Sequence, residues 1–158
     1  MKKAMVALSL CLTSGCVGFY QQPHAEAPHA TLEAIQGVNT MLDGGVQQYW
    51  AYYDVACTDT SETGVLGVRK GEATEQFLLI PDRRIFVQMM STGGSKKDGV
   101  VTLRNCINVS SFVPAAGQTY QIVQTVPSRG CLMEIFEKNT GLPPPSFVRE
   151  EVKKGCGR

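Results

Sequence analysis

Histidine is scarce in this chain. Only His24 and His29 occur among 158 residues, and both fall in a polar, proline-containing stretch near the N-terminus. A Ser-His-Asp or Cys-His site on the body of the protein is thereby disfavoured, since each needs an imidazole base. A histidine-based metal site on that body is equally unsupported, although two histidines in a flexible segment can hold a metal weakly. A surplus of one charge is also missing. Lys+Arg 15 stand against Asp+Glu 14, which offers nothing to drive nucleic-acid binding and nothing to mimic a polyanion. No apolar run approaches the ~20 residues of a membrane-spanning helix. No glycine-rich loop leads into a helix to cradle a phosphate. Carboxylates remain as catalytic material. Asp54, Asp59 and Glu62 lie close in sequence, but the stretch Asp59-Thr60-Ser61-Glu62 reads as a solvated acidic turn.

The N-terminus carries the clearest pattern. Lys2 and Lys3 precede an apolar run from Ala4 to Leu12, and Leu12-Thr13-Ser14-Gly15-Cys16 follows directly. The run is too short to span a bilayer and fits the charged and apolar regions of a secretion signal. Small residues before a cysteine resemble a bacterial lipoprotein signal, with Cys16 as the acylated N-terminus of the mature chain. The resemblance departs at Thr13, where that family usually has a large aliphatic residue. It implies several acyl chains (palmitate among them) on Cys16, and two or more chains anchor stably at about 0.8 kcal/mol per buried CH₂. In that family an Asp after the cysteine favours inner-membrane retention. Val17 stands there, which implies an outer-membrane anchor facing the periplasm. The alternatives are an inner-membrane anchor or a free periplasmic protein.

Loss of residues 1–15 leaves about 143, the size of one domain. It also discards Cys11 and commits Cys16 to lipid. Cys57, Cys106, Cys131 and Cys156 remain, and an even number in an exported domain reads as two disulfides. Their wide spacing disfavours zinc, which prefers close cysteine pairs. Of three connectivities, Cys57–Cys106 with Cys131–Cys156 is the favoured expectation, because the second bond would tie the chain end to the last strand. Residues 16–30 lack an apolar period and read as a lipidated tether. The domain is expected over 31–158.

From Gln47 onward the chain reads as strands at short, regular spacing. Gln48–Cys57, Gly64–Arg69, Thr74–Ile80, Arg84–Met90, Val100–Leu103, Cys106–Val113, Thr119–Val126 and Cys131–Glu137 are expected as strands, separated by turn residues. Gly93–Gly99 is expected as a loop tip. Leu32 opens an edge strand or irregular segment, and Ser146–Lys154 closes the chain as a strand or short helix. The class is an all-β, single Greek-key sandwich, immunoglobulin- or transthyretin-like. Val113-Pro114-Ala115-Ala116-Gly117-Gln118-Thr119-Tyr120 resembles the tyrosine corner of such sandwiches, in which the Tyr hydroxyl bonds backbone a few residues upstream. Gly117, Tyr120 and Cys131 also resemble a pattern of small exported bacterial lipoproteins. That resemblance covers roughly residues 100–156 and implies no single activity.

Two surface features stand out. Along the strand at Tyr49, Trp50, Tyr52 and Tyr53, alternate side chains point to opposite faces. Trp50 and Tyr52 are therefore either covered by another segment or form a candidate partner surface. The basic doublets Arg69-Lys70, Arg83-Arg84, Lys96-Lys97 and Lys153-Lys154 fall at strand ends. Gathered together they would meet anionic envelope components; scattered, they are solvated charges. The expected function is a non-catalytic binding or accessory role in an envelope or secretion complex, without cofactor, metal or nucleic acid. An inhibitor or binding protein for a soluble target such as a hydrolase, acting through Gly93–Gly99, is the alternative. A carboxylate-based envelope enzyme comes third.

Overall fold

The computed structural model describes residues 18–35, 46–57, 63–69, 74–125 and 131–153. Among them lie strands and no helix. In chain order these are β1 Ala30–Ile35, β2 Val46–Tyr52, β3 Gly64–Arg69, β4 Thr74–Leu79, β5 Ile85–Lys97, β6 Val100–Phe112, β7 Thr119–Thr125, β8 Leu132–Glu137 and β9 Val148–Glu150. One sheet has the order β4-β1-β7-β8 and the other β3-β2-β5-β6-β9. The two pack face to face as an all-β sandwich. Pairing is antiparallel except between β1 and β7, which run parallel with Leu32 opposite Tyr120.

Alternation along the strands builds the core. Leu32 and Ala34 of β1, Phe77 and Leu79 of β4, Tyr120 and Ile122 of β7, and Met133 and Ile135 of β8 face inward from the four-stranded sheet. They meet Tyr49, Ala51, Ile85, Val87, Met89 and Phe112 of the other. Each large side chain so buried contributes roughly 1.5–3 kcal/mol. Tyr49 leans on Phe77 with ring centroids 5.9 Å apart, and Phe112 meets Tyr120 edge-on at 4.9 Å. Gly67 makes room for Phe77, whose ring edge would lie 2.6 Å from any Cβ placed there.

The outer face of the five-stranded sheet is apolar too. Trp50, Tyr52, Cys57 and Val109 form a second buried cluster with Val65, Phe86 and Met90 packed against it. The strands β2 and β5 are thus apolar on both sides, which explains the nearly continuous apolar runs in their sequences.

Two sequence expectations need correction. Gly93–Lys97 is strand, not loop, and Val100–Phe112 is one strand, not two. The pair Asp98-Gly99 turns the chain, with φ of 50° and 79°. Two successive left-handed residues are what a two-residue hairpin turn demands, because its twist then matches that of the strands. The favoured disulfide pairing also fails. Cys106 is bonded to Cys131, 25 residues on, with Cα atoms 6.1 Å apart. The inner face of β6 carries Cys106, and Cys131 stands at the foot of β8 in the facing sheet, so the bond joins the two sheets. Loop closure of that size stabilises by about 3–4 kcal/mol.

The corner before β7 matches its expectation. The backbone N–H of Ala115 donates to the Tyr120 hydroxyl at 3.0 Å, five residues upstream. Tyr120→Phe leaves that N–H without its acceptor while keeping the ring. We expect a loss of about 1–2 kcal/mol in urea unfolding, with an unchanged far-ultraviolet spectrum; unaltered stability would refute the role.

Candidate functional site

The chain entering the sandwich is clamped, not tethered. The Gly18 carbonyl accepts from the Val65 N–H at 2.8 Å, and the Tyr20 N–H donates to the Val65 carbonyl at 3.0 Å. Phe19 thereby lies beside Val65 as a parallel bridge. Gly64 permits this approach. It has φ +135°, and a Cβ there would overlap the Gly18 carbonyl. Tyr20 is buried in the main core, and its hydroxyl lies 3.1 Å from that of Tyr53 and accepts from the Ile80 N–H. The Gln22 Oε1 accepts from Leu78 N–H at 2.7 Å. Residues 18–30 read as a tether because they lack a period, yet backbone bonds and one buried tyrosine suffice to hold them.

Cys16 and Cys156 lie outside the described residues, as do Asp59 and Glu62. Cys57 is disulfide-bonded, with a partner outside the described residues. Its φ is 57°, a left-handed conformation uncommon for a residue with a Cβ. Trp50 and Tyr52 are only 7% and 6% exposed, so the candidate partner surface there is interior. Burial, followed by the neighbouring Asp54 charge, pushes the Tyr52 phenol above its ordinary pKa. The Asp54 carboxylate accepts from the Ala56 N–H at 2.7 Å and so closes its own turn. Among the described residues the basic side chains Arg83, Arg84 and Lys153 serve separate places. Arg83 sits over the Tyr53 ring, 3.5 Å from its centroid, and Arg84 Nη1 donates to Ser111 Oγ at 2.8 Å and to the Ser146 carbonyl. Lys96 and Lys97 are at the far end of the same strand. Lys153 is exposed, and Lys70 and Lys154 lie outside the described residues. His29 Nδ1 is 2.8 Å from the Ala27 carbonyl. Among the described residues no group of three or more His, Cys, Asp or Glu is placed to hold a metal ion.

Polar groups instead secure the scaffold. At the disulfide end of the core, the buried Gln124 amide donates to Ser91 Oγ at 2.9 Å and to the Cys106 carbonyl. Asn108 Nδ2 donates to Gln124 Oε1 and faces Cys131 Sγ at 3.0 Å. On the outer face of the four-stranded sheet, Glu33 is buried in a rung with Gln76 and Gln121 on the flanking strands. It accepts from Lys138 Nζ at 2.8 Å, Gln121 Nε2 at 2.9 Å and Gln76 Nε2 at 3.2 Å. The Lys138 bond foremost, then that of Gln121, holds its carboxyl below the ordinary range. Gln88 and Thr63 are exceptions among the described residues: both are fully buried, and neither the Gln88 amide atoms nor Thr63 Oγ1 has a partner.

The surface feature left is the tip of the β5–β6 hairpin. Among the described residues β2 follows β5 as far as Thr92. From Gly93 to Lys97 the described partner is β6 alone, with Lys97 opposite Val100. Five residues at strand rise carry this two-stranded ribbon about 17 Å past the last described rung of β2. Val100 and Val101 near its tip are 66% and 61% exposed. Adjacent strand residues face opposite ways, so both faces of the ribbon present an apolar side chain to solvent. The signal for this was in the sequence, since Asp-Gly flanked by strand-forming residues marks a hairpin. The glycines and lysines before it masked the strand.

Comparison with protein-family models, curated proteins and solved structures finds no match in any of the three.

Glu33 yields a prediction. Its folded pKa is lowered, so its contribution to stability is complete above the ordinary carboxylate range and is lost as pH falls through the folded value. Urea midpoints of the wild type are expected to fall through that acid range, and those of Glu33→Gln to fall less, starting about 1–2 kcal/mol lower near neutrality. Parallel curves would contradict this.

Proposed function

We propose that this chain is a cell-envelope lipoprotein, held by acyl chains on Cys16, whose sandwich has a non-catalytic binding or accessory role in an envelope or secretion complex. The cleaved signal, the small residues before Cys16 and Val17 after it support an outer-membrane anchor facing the periplasm. The observation that carries the binding role is the ribbon. Proteins seldom leave apolar side chains on both faces of a projecting hairpin without a partner to cover them. A ribbon edge also offers unpaired backbone groups to an added strand.

A second reading has the same observation in its favour. A narrow hairpin ending in a two-residue turn has the shape to enter a cleft, as an inhibitor of a soluble hydrolase would. The two readings differ in what the ribbon touches. A photo-crosslinking amino acid at Val100, in intact cells, is expected to capture an envelope protein, with no such adduct from the same group at Val148. An adduct with a soluble hydrolase would favour the inhibitor, and equal yields from both positions would count against the ribbon. Cys16→Ala is expected to move the protein from the membrane to the soluble fraction. Unchanged membrane retention would remove the lipid anchor.

A further inference from the structure

The clamp at Val65 fixes which end of the sandwich meets the lipid. Gly18, Phe19 and Tyr20 run parallel to β3, and β3 runs antiparallel to β2. From Tyr20 back to Gly18 the chain therefore runs away from the ribbon. Cys16 is two residues before Gly18, at most about 7 Å of extended chain. An acyl group on Cys16 has no long tether to separate it from the domain.

We infer that the Gly18–Val65 end of the sandwich rests on the lipid surface and that the β5–β6 ribbon points away from it. The inference rests on the lipidation of Cys16 proposed above. Side chains at that end suit the contact. Phe19 is 69% exposed although it sits three residues from Cys16. Leu142 is 65% exposed beyond the Glu137 end of β8, whose N–H donates to the Leu142 carbonyl. Apolar side chains beside an acyl anchor add buried area at the interface. Arg83 is exposed on the β4–β5 turn at the same end, beside Asp82, with its guanidinium over the Tyr53 ring. The acyl chains and Phe19 are the main attachment.

The register gives the height of the ribbon. Val65 pairs with Trp50, and Trp50 with Gln88. Asp98 is ten residues further along β5, about 34 Å at strand rise. Val100 and Val101 are thereby carried clear of the headgroups, and the partner they meet is a protein standing in the aqueous compartment, not a lipid surface.

The test uses the full, lipidated protein in vesicles of phosphatidylethanolamine and phosphatidylglycerol with an energy-transfer acceptor on the headgroups. A fluorescent amino acid replaces Phe19 in one sample and Val100 in another. Transfer from position 19 is expected to exceed that from position 100 several-fold. Equal transfer, or more from position 100, overturns the orientation. Gly64→Val drives the Gly18 carbonyl off β3 and is expected to erase the difference while vesicle binding persists; a difference that survives also overturns the inference. A wild-type protein that fails to bind, with no acyl mass on Cys16, would overturn the lipid anchor and this orientation with it. Binding without the predicted difference overturns the orientation alone.

Discussion

The register of the β5–β6 hairpin is the constraint on which the rest depends. Asp98 and Gly99 turn the chain in two residues, so Lys97 must face Val100 and every later pair follows, ending with Ile85 opposite Phe112. A slip of one residue would send each side chain to the wrong face. Phe112 would leave Tyr120, and Cys106 would turn away from Cys131. On its other edge β5 pairs with β2 in a separate register that levels Trp50 with Gln88 and Tyr49 with Met89.

Polar groups then close what the apolar core leaves open. At one end Gln124, Ser91 and Asn108 bond among themselves around the inter-sheet disulfide. At the other, Ser111 Oγ donates to Glu150 Oε1 at 2.6 Å while accepting from Arg84, which holds the short strand β9 against β6. These bonds are satisfied and therefore stabilise, whereas buried polar atoms left alone cost about 1–3 kcal/mol. Gln88 and Thr63 carry such unpartnered atoms, and the structure gives no compensating bond for either.

The proposed function gives the molecule two working ends. One is where the chain enters, clamped through Gly18 and Val65 with Phe19 exposed beside them. The other is the ribbon, which leaves the body where β2 stops. A sheet joins them, so with Cys16 acylated as proposed a partner bound at the ribbon would be held at a defined height and direction from the lipid. A free tether at residues 18–30 would have allowed neither. The aromatic pair Trp50 and Tyr52 has no place in this scheme, because it lies under cover.

Much of the fold was legible. Gly64–Arg69 was bounded as found, since β-branched residues between turn formers have few other choices, and Tyr120 declared its corner through Pro114 and Gly117. The ribbon was not, because Gly93, Gly94, Ser95 and two lysines have loop composition and owe their strand to the ladder opposite. The clamp was not either. A single buried tyrosine and two backbone bonds leave no period to read. By itself the sequence determined the all-β class and the strand alternation, both of which follow from local pattern. Only the tertiary structure decided that Cys106 joins Cys131, that Trp50 is interior and that the chain enters opposite the ribbon, because each depends on which distant strands lie side by side.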